Sequence, residues 1–293
     1  IRTNTNATFL QNINVGVAIT AGKLGIGFTD AQVKIGNTAL DSLTTGTNNT
    51  AVGNLALTAC TTGVQNTAVG VGALDALTTQ SSNTAVGYLA MSTATTGHTS
   101  VAVGHQSLFS DTTGANNVAV GGNALYSNTT ADNNVAVGRD CLKLNTTGAA
   151  NVAVGAYALD ANTTSSNNTA IGYVALTANT TGTRNTAVGA YALDAATTVN
   201  DNTAFGYAAL TSNTTGAENT AVGSGAMDQN TTGTDNTAVG WRSLYTNNAN
   251  YNTAVGNYAL NETTSSFNTA VGASAMYRCT GQDNSALGKS AGK

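Results

Sequence analysis

Apolar and polar positions recur along this chain with a fixed period. The pentad Asn49-Thr50-Ala51-Val52-Gly53 returns at Asn66-Thr67-Ala68-Val69-Gly70 and again at Asn83-Thr84-Ala85-Val86-Gly87. Its glycine steps by 17 residues as far as Gly240, then by 16 to Gly256, Gly272 and Gly288. A degenerate first copy, Gln32-Val33-Lys34-Ile35-Gly36, stands 17 residues before Gly53. Three and four residues after each glycine comes a small-plus-large apolar pair, such as Ala56-Leu57, Ala90-Met91 and Ala124-Leu125. A third landmark is a turn, Thr44-Thr45-Gly46 or Thr112-Thr113-Gly114, whose glycine is replaced at Gln80, Ala131, Ser165 and Val199. The pentad glycine never varies, which predicts a positive φ or a close backbone approach at that corner.

A unit this short cannot hold a helix pair, which needs about 33 residues. Thr and Val favour strands, whereas Asn, Gly and Thr-Thr-Gly favour turns. Each unit therefore reads as one coil with two short strands and two corners. Stacked coils would pair in parallel, and the fifteen steps from Gly36 to Gly288 would build roughly 70 Å of rod. The expected fold is all-β, a parallel β-solenoid of 17-residue coils. Residues 1–31 would form a lead-in or cap, and residues 32–293 an array of about sixteen coils. The absence of proline fits, because every coil needs its amide donors for the ladder.

Alternate strand residues face opposite sides. Across the fifteen full pentads, position two is Thr ten times, Val four times and Ser once; position four is Val twelve times; position three is always Ala. Neither face is conspicuously polar, so both are expected to be covered. The Ala face suits a thin interior, and a neighbouring subunit is the simplest cover for the Thr/Val face.

The pentad followed by Ala-Leu and a small polar turn resembles the head repeats of trimeric autotransporter adhesins, which form left-handed parallel β-roll trimers on a shorter coil. Longer Asn-Thr-Ala-Val-Gly and Asn-Thr-Thr-Gly arrays look like those of bacteriophage and algal-virus fibres. The opening segment Ala21-Gly22-Lys23-Leu24-Gly25-Ile26-Gly27 is similar to a lead-in of phage tail fibres. The resemblance implies a left-handed homotrimer, an extracellular location on a virion or cell surface, and a structural role that includes attachment to a host glycan or receptor. A bacterial adhesin head or another self-assembled extracellular filament is the alternative. The start at Ile1 suggests a processed product or a piece of a longer chain.

Composition narrows the chemistry. Charged residues make up 8% of the 293 positions and aromatics 5%, with a formal net charge of −4. No basic run points to nucleic acid, and no apolar stretch of about 18 residues predicts membrane insertion. His98 and His105 flank one pentad without a carboxylate nearby, so a metal site is not expected. Cys60 and Cys279 share a slot thirteen coils apart, too far for a disulfide. Cys141 occupies the small apolar slot as a filler. Asp41 and Asp75, like Asp160, Asp194 and Asp228, recur on alternate coils, a spacing that keeps like charges from stacking. No nucleophile elbow or phosphate loop occurs, and neither enzymatic activity nor a cofactor is expected.

Two positions, one and two residues after the pentad glycine, accept side chains from Gly to Trp and read as exposed. They hold the candidate recognition residues Tyr88, Tyr157, Tyr173, Tyr191, Tyr207, Trp241 and Tyr258. Exposed aromatics suit carbohydrate recognition; the rings would otherwise only shield the corner between coils. A remote third reading is an ice-binding solenoid, from the Thr50, Thr67, Thr84 column, although Val101, Val118, Val135 and Val152 interrupt it.

Overall fold

The computed structural model describes residues 32–292. The lead-in expected at residues 1–31 and Lys293 lie outside the described residues. Every pentad contributes one three-residue strand, from Val33–Ile35 and Thr50–Val52 through to Ser285–Leu287. The sixteen strands form a single parallel sheet in chain order. Register is strict: Thr186 pairs with Thr203, Ala187 with Ala204, and Val188 with Phe205. The chain is thus an all-β parallel solenoid with 17-residue coils.

The pentad alanines from Ala51 to Ala270 are fully buried and pack against Leu57, Leu74, Met91 and their equivalents in one continuous core, with Ala286 partly buried at its end. The Thr/Val face points outward and is half-exposed in the single chain. Within one chain only the Ala face is covered; the cover expected for the Thr/Val face is a neighbouring subunit. Val137, Ile171 and Phe205 are exposed on the outer side.

The corner glycines adopt positive φ, 138° at Gly53 and 134° at Gly155. A Cβ on Gly155 would lie 2.3 Å from the carbonyl oxygen of Gly172 in the next coil. Both reasons for an invariant glycine therefore operate together. In the Thr-Thr-Gly slot only the second does: a Cβ on Gly148 would meet Ser165 O at 2.1 Å. The chain carries a side chain in that slot at Gln80, Ala131, Ser165 and Val199, never in two successive 17-residue coils.

The second wall corrects the two-strand expectation. In the 17-residue coils it is a run of turns. The residue two after each glycine and the Leu/Met residue four after it both take positive φ, as at Leu55 (62°) and Leu57 (52°). That alternation cannot form a strand. The Ala56 N–H closes a turn on Gly53 O, while Leu57 N–H donates to Ala73 O of the next coil at 3.0 Å. A left-handed non-glycine residue costs roughly 1–2 kcal/mol, which full burial of a leucine, about 1.5–3 kcal/mol, offsets. Only where coils shorten to 16 residues does a second strand appear, at Thr246–Asn247, Glu262–Thr263 and Arg278–Cys279, in a separate three-stranded sheet.

Candidate functional site

Two polar ladders run through the interior. In the first, pentad asparagines use both ends of the amide, with the exception of Asn252, whose Nδ2 is buried without a partner among the described residues. Asn49 Oδ1 accepts from the Asn66 backbone N–H at 2.9 Å, and Asn49 Nδ2 donates to Gly63 O at 2.8 Å. Asn134, Asn151 and Asn185 repeat the pattern. An aspartate lacks the donor, and Ser100, which occupies this slot once, accepts from Asn117 N–H at 3.1 Å but makes no bond to the Gly114 carbonyl, so only an amide supplies both bonds.

The second ladder stands seven residues after the glycine, in the slot of Cys60 and Cys279. Asn128, Asn145, Asn162 and Asn179 stack there, each donating to the preceding ladder residue and to the carbonyl three residues on. Asp111 stands at one end, fully buried, next to apolar Ala94. Its Oδ1 accepts from Gly114 N–H at 3.0 Å and from Asn128 Nδ2 at 3.2 Å. Its Oδ2 is buried without a hydrogen-bond partner among the described residues. Burial pushes the carboxyl up to about 7 against the opposing bonds from Gly114 and Asn128, and the charge of Asp132 adds to the rise. Burial likewise raises Asp75, Asp194 and Asp228. All three cysteines are free and buried, and burial pushes the Cys141 thiol up to about 12. Asp111 and the cysteines face the interior, whereas Asp75, Asp194 and Asp228 are half-buried.

The outer corner carries the aromatic candidates. Tyr157, Tyr173, Tyr191 and Tyr207 come from four successive coils and alternate between the two corner positions. Each ring meets the next edge-on, with centroids 6.3, 5.6 and 5.9 Å apart and interplanar angles of 81° to 85°. Trp241 packs on Tyr258 at 4.7 Å, and Tyr258 on Tyr277 at 5.9 Å. Tyr88 stands apart from this run and stacks on His105 at 5.4 Å. Shielding by mutual contact is therefore real, yet Tyr173, Tyr207 and Trp241 remain 49%, 60% and 45% exposed. The second corner position is not a free slot, because its residues share positive φ: Tyr157 at 60° and Tyr191 at 59°. Arg139 lies over the Tyr157 ring at 5.4 Å, and Arg242 over Trp241 at 5.2 Å.

Two further features complete the surface. Thr177 Oγ1 lies 2.8 Å from Asp160 Oδ1 and 2.9 Å from Tyr157 O, so the alternating Asp/Thr column runs beside the aromatic corner. An open groove of about 330 Å³ crosses the short second sheet, lined by Thr246, Glu262, Thr263, Arg278 and Cys279. The Arg278–Glu262 ion pair at 2.7 Å spans it and satisfies both charges.

Among the described residues no group of three or more His, Cys, Asp or Glu side chains is placed to hold a metal ion. His98 and His105 both sit on the surface. No helix of the described residues is long and apolar enough to cross a membrane. The Asn ladders were the features that sequence reasoning missed. Their signal was present in the pentad asparagine and in the Asn of Asn-Thr-Thr-Gly, which read as turn formers. The chain matches no protein-family model and no curated protein.

Proposed function

We propose that this chain is a structural segment of an extracellular fibre, built as a homotrimer and displayed on a virion, with attachment to a host surface as part of its role. The observation that carries the reading is the outward Thr/Val face. It runs over all sixteen strands without one charged residue at positions two or four among the described residues. Fifteen steps of about 4.8 Å by a three-residue strand width give roughly 700 Å² of face. That is close to the ~800 Å² per partner of a standard specific interface. An uncharged, flat face of this length on a protein with few charges favours a second and third copy over solvent. A closed cyclic assembly would cover the face on every copy.

The test is to place charge on that face. Val120→Lys with Val137→Lys should convert the trimer to monomer while the β-sheet circular dichroism is retained. An unchanged mass would place the interface elsewhere and defeat this use of the face.

A further inference from the structure

A two-coil superperiod is superimposed on the 17-residue repeat. Tyr173, Tyr207 and Trp241 are 34 residues apart, all at the first corner position. Asp160, Asp194 and Asp228 are also 34 residues apart, in the column beside that corner. In the coils between, the first corner position holds Ala190 and Ser224. Two coils rise about 9.6 Å, so three half-exposed rings stand in a line along the rod at that interval. Tyr191, from the second corner position, packs edge-on between Tyr173 and Tyr207.

We infer that this ladder binds a neutral, extended β-1,4-linked glycan lying along the solenoid axis, with the rings of Tyr173, Tyr207 and Trp241 under every second sugar and the Asp160, Asp194 and Asp228 row accepting hydrogen bonds from its hydroxyls. An extended β-1,4 chain presents the same ring face every second residue, so a two-coil interval suits it. An α-1,4 chain coils away from a straight ladder. Aromatic faces stack on the C–H faces of pyranose rings and leave the hydroxyls pointing sideways. Carboxylates are acceptors only, matched to hydroxyl donors. The Asp row disfavours an anionic polymer. Arg242 lies beside the ladder, over the Trp241 ring at 5.2 Å, while Trp241 stays 45% exposed; a cationic side chain there would meet a like charge, which disfavours a cationic peptide. Between Arg139 and Arg242 the two corner positions carry no charged side chain.

This inference deepens the attachment part of the proposed function and is separable from the fibre part, which mass in solution tests independently. The experiment is calorimetric titration of the intact chain with cellohexaose, mannohexaose and chitohexaose, against maltohexaose, cellobiose and a lysine-rich peptide. At least one β-1,4 hexamer should bind saturably, and the corresponding disaccharide at least about tenfold more weakly. Tyr207→Ala and Trp241→Ala should each weaken binding about tenfold. Tyr207→Phe should retain it, and Tyr251→Ala, whose ring stacks on Phe267 instead, should change nothing. Circular dichroism of each variant separates lost binding from lost fold. Failure of all three β-1,4 hexamers, equal binding of maltohexaose, binding of the peptide alone, or insensitivity to Trp241→Ala in a folded variant would each overturn it.

Discussion

Asp111→Asn should stabilise this protein, and by an amount that depends on pH. In the coils of Asn213 and Asn230 the amide closes a two-bond ring with its own turn. Gly216 N–H donates to Asn213 Oδ1 at 3.0 Å, and Asn213 Nδ2 donates to Gly216 O at 2.8 Å. The Asn230 and Gly233 pair does the same at 3.0 and 3.1 Å. Asp111 makes the first bond to Gly114 but, when ionised, has no donor for the second. The other ladder does not help, because Ser100 stands where an asparagine would otherwise reach the Gly114 carbonyl. A rise from 3.8 to about 7 is roughly three pKa units, or about 4 kcal/mol at about 1.36 kcal/mol per unit. Because the folded pKa lies above the unfolded one, the folded state holds the proton more tightly. The benefit is complete below pH 3.8 and is lost as pH rises through about 7. Urea denaturation of both proteins from pH 4 to pH 8 isolates the effect, since every carboxylate but the coupled Asp132 cancels in the difference. The variant should match the parent near pH 4 and exceed it by about 4 kcal/mol at pH 8. A variant less stable at pH 8, or a difference that does not change with pH, would refute the reasoning.

Other perturbations have equally definite outcomes. Asn151→Ala removes the acceptor of Asn168 N–H and one of two donors to Ser165 O, which keeps its bond from Asn162 Nδ2; with one buried N–H unpaired the loss should be about 1–3 kcal/mol by urea denaturation. Gly155→Ala adds strain at φ 134° and a clash with Gly172 O, and should abolish the sheet signal in circular dichroism. Gly122→Ala, where nothing lies within 4 Å of the added Cβ, should change stability by less than about 0.5 kcal/mol. Thermal hysteresis should be absent, because Val101, Val118, Val135 and Val152 break the outward Thr column; measurable ice-growth inhibition would revive that reading.

The strand wall was legible because its determinants are periodic and local. An invariant Ala between Thr and Val marks which face is thin, and an invariant Gly marks the corner. The opposite wall was not legible, for a physical reason. Leu57 and its equivalents hold a left-handed conformation that leucine does not favour by itself. Burial and the bond to the next coil impose it, so no propensity announces it. The Asn ladders were hidden for a related reason: an asparagine that stacks inside a coil and one that starts a turn look alike until the next coil is in place. The aromatic column could be read as exposed and repeated. Its edge-on packing and its positive φ at Tyr157 and Tyr191 became apparent only with the coils in register.

Mass in solution tests most directly whether the half-exposed Thr/Val face meets other copies of the chain. Multi-angle light scattering across a range of protein concentrations should give three times the chain mass of 29.1 kDa. A single species at 29.1 kDa at every concentration would contradict it.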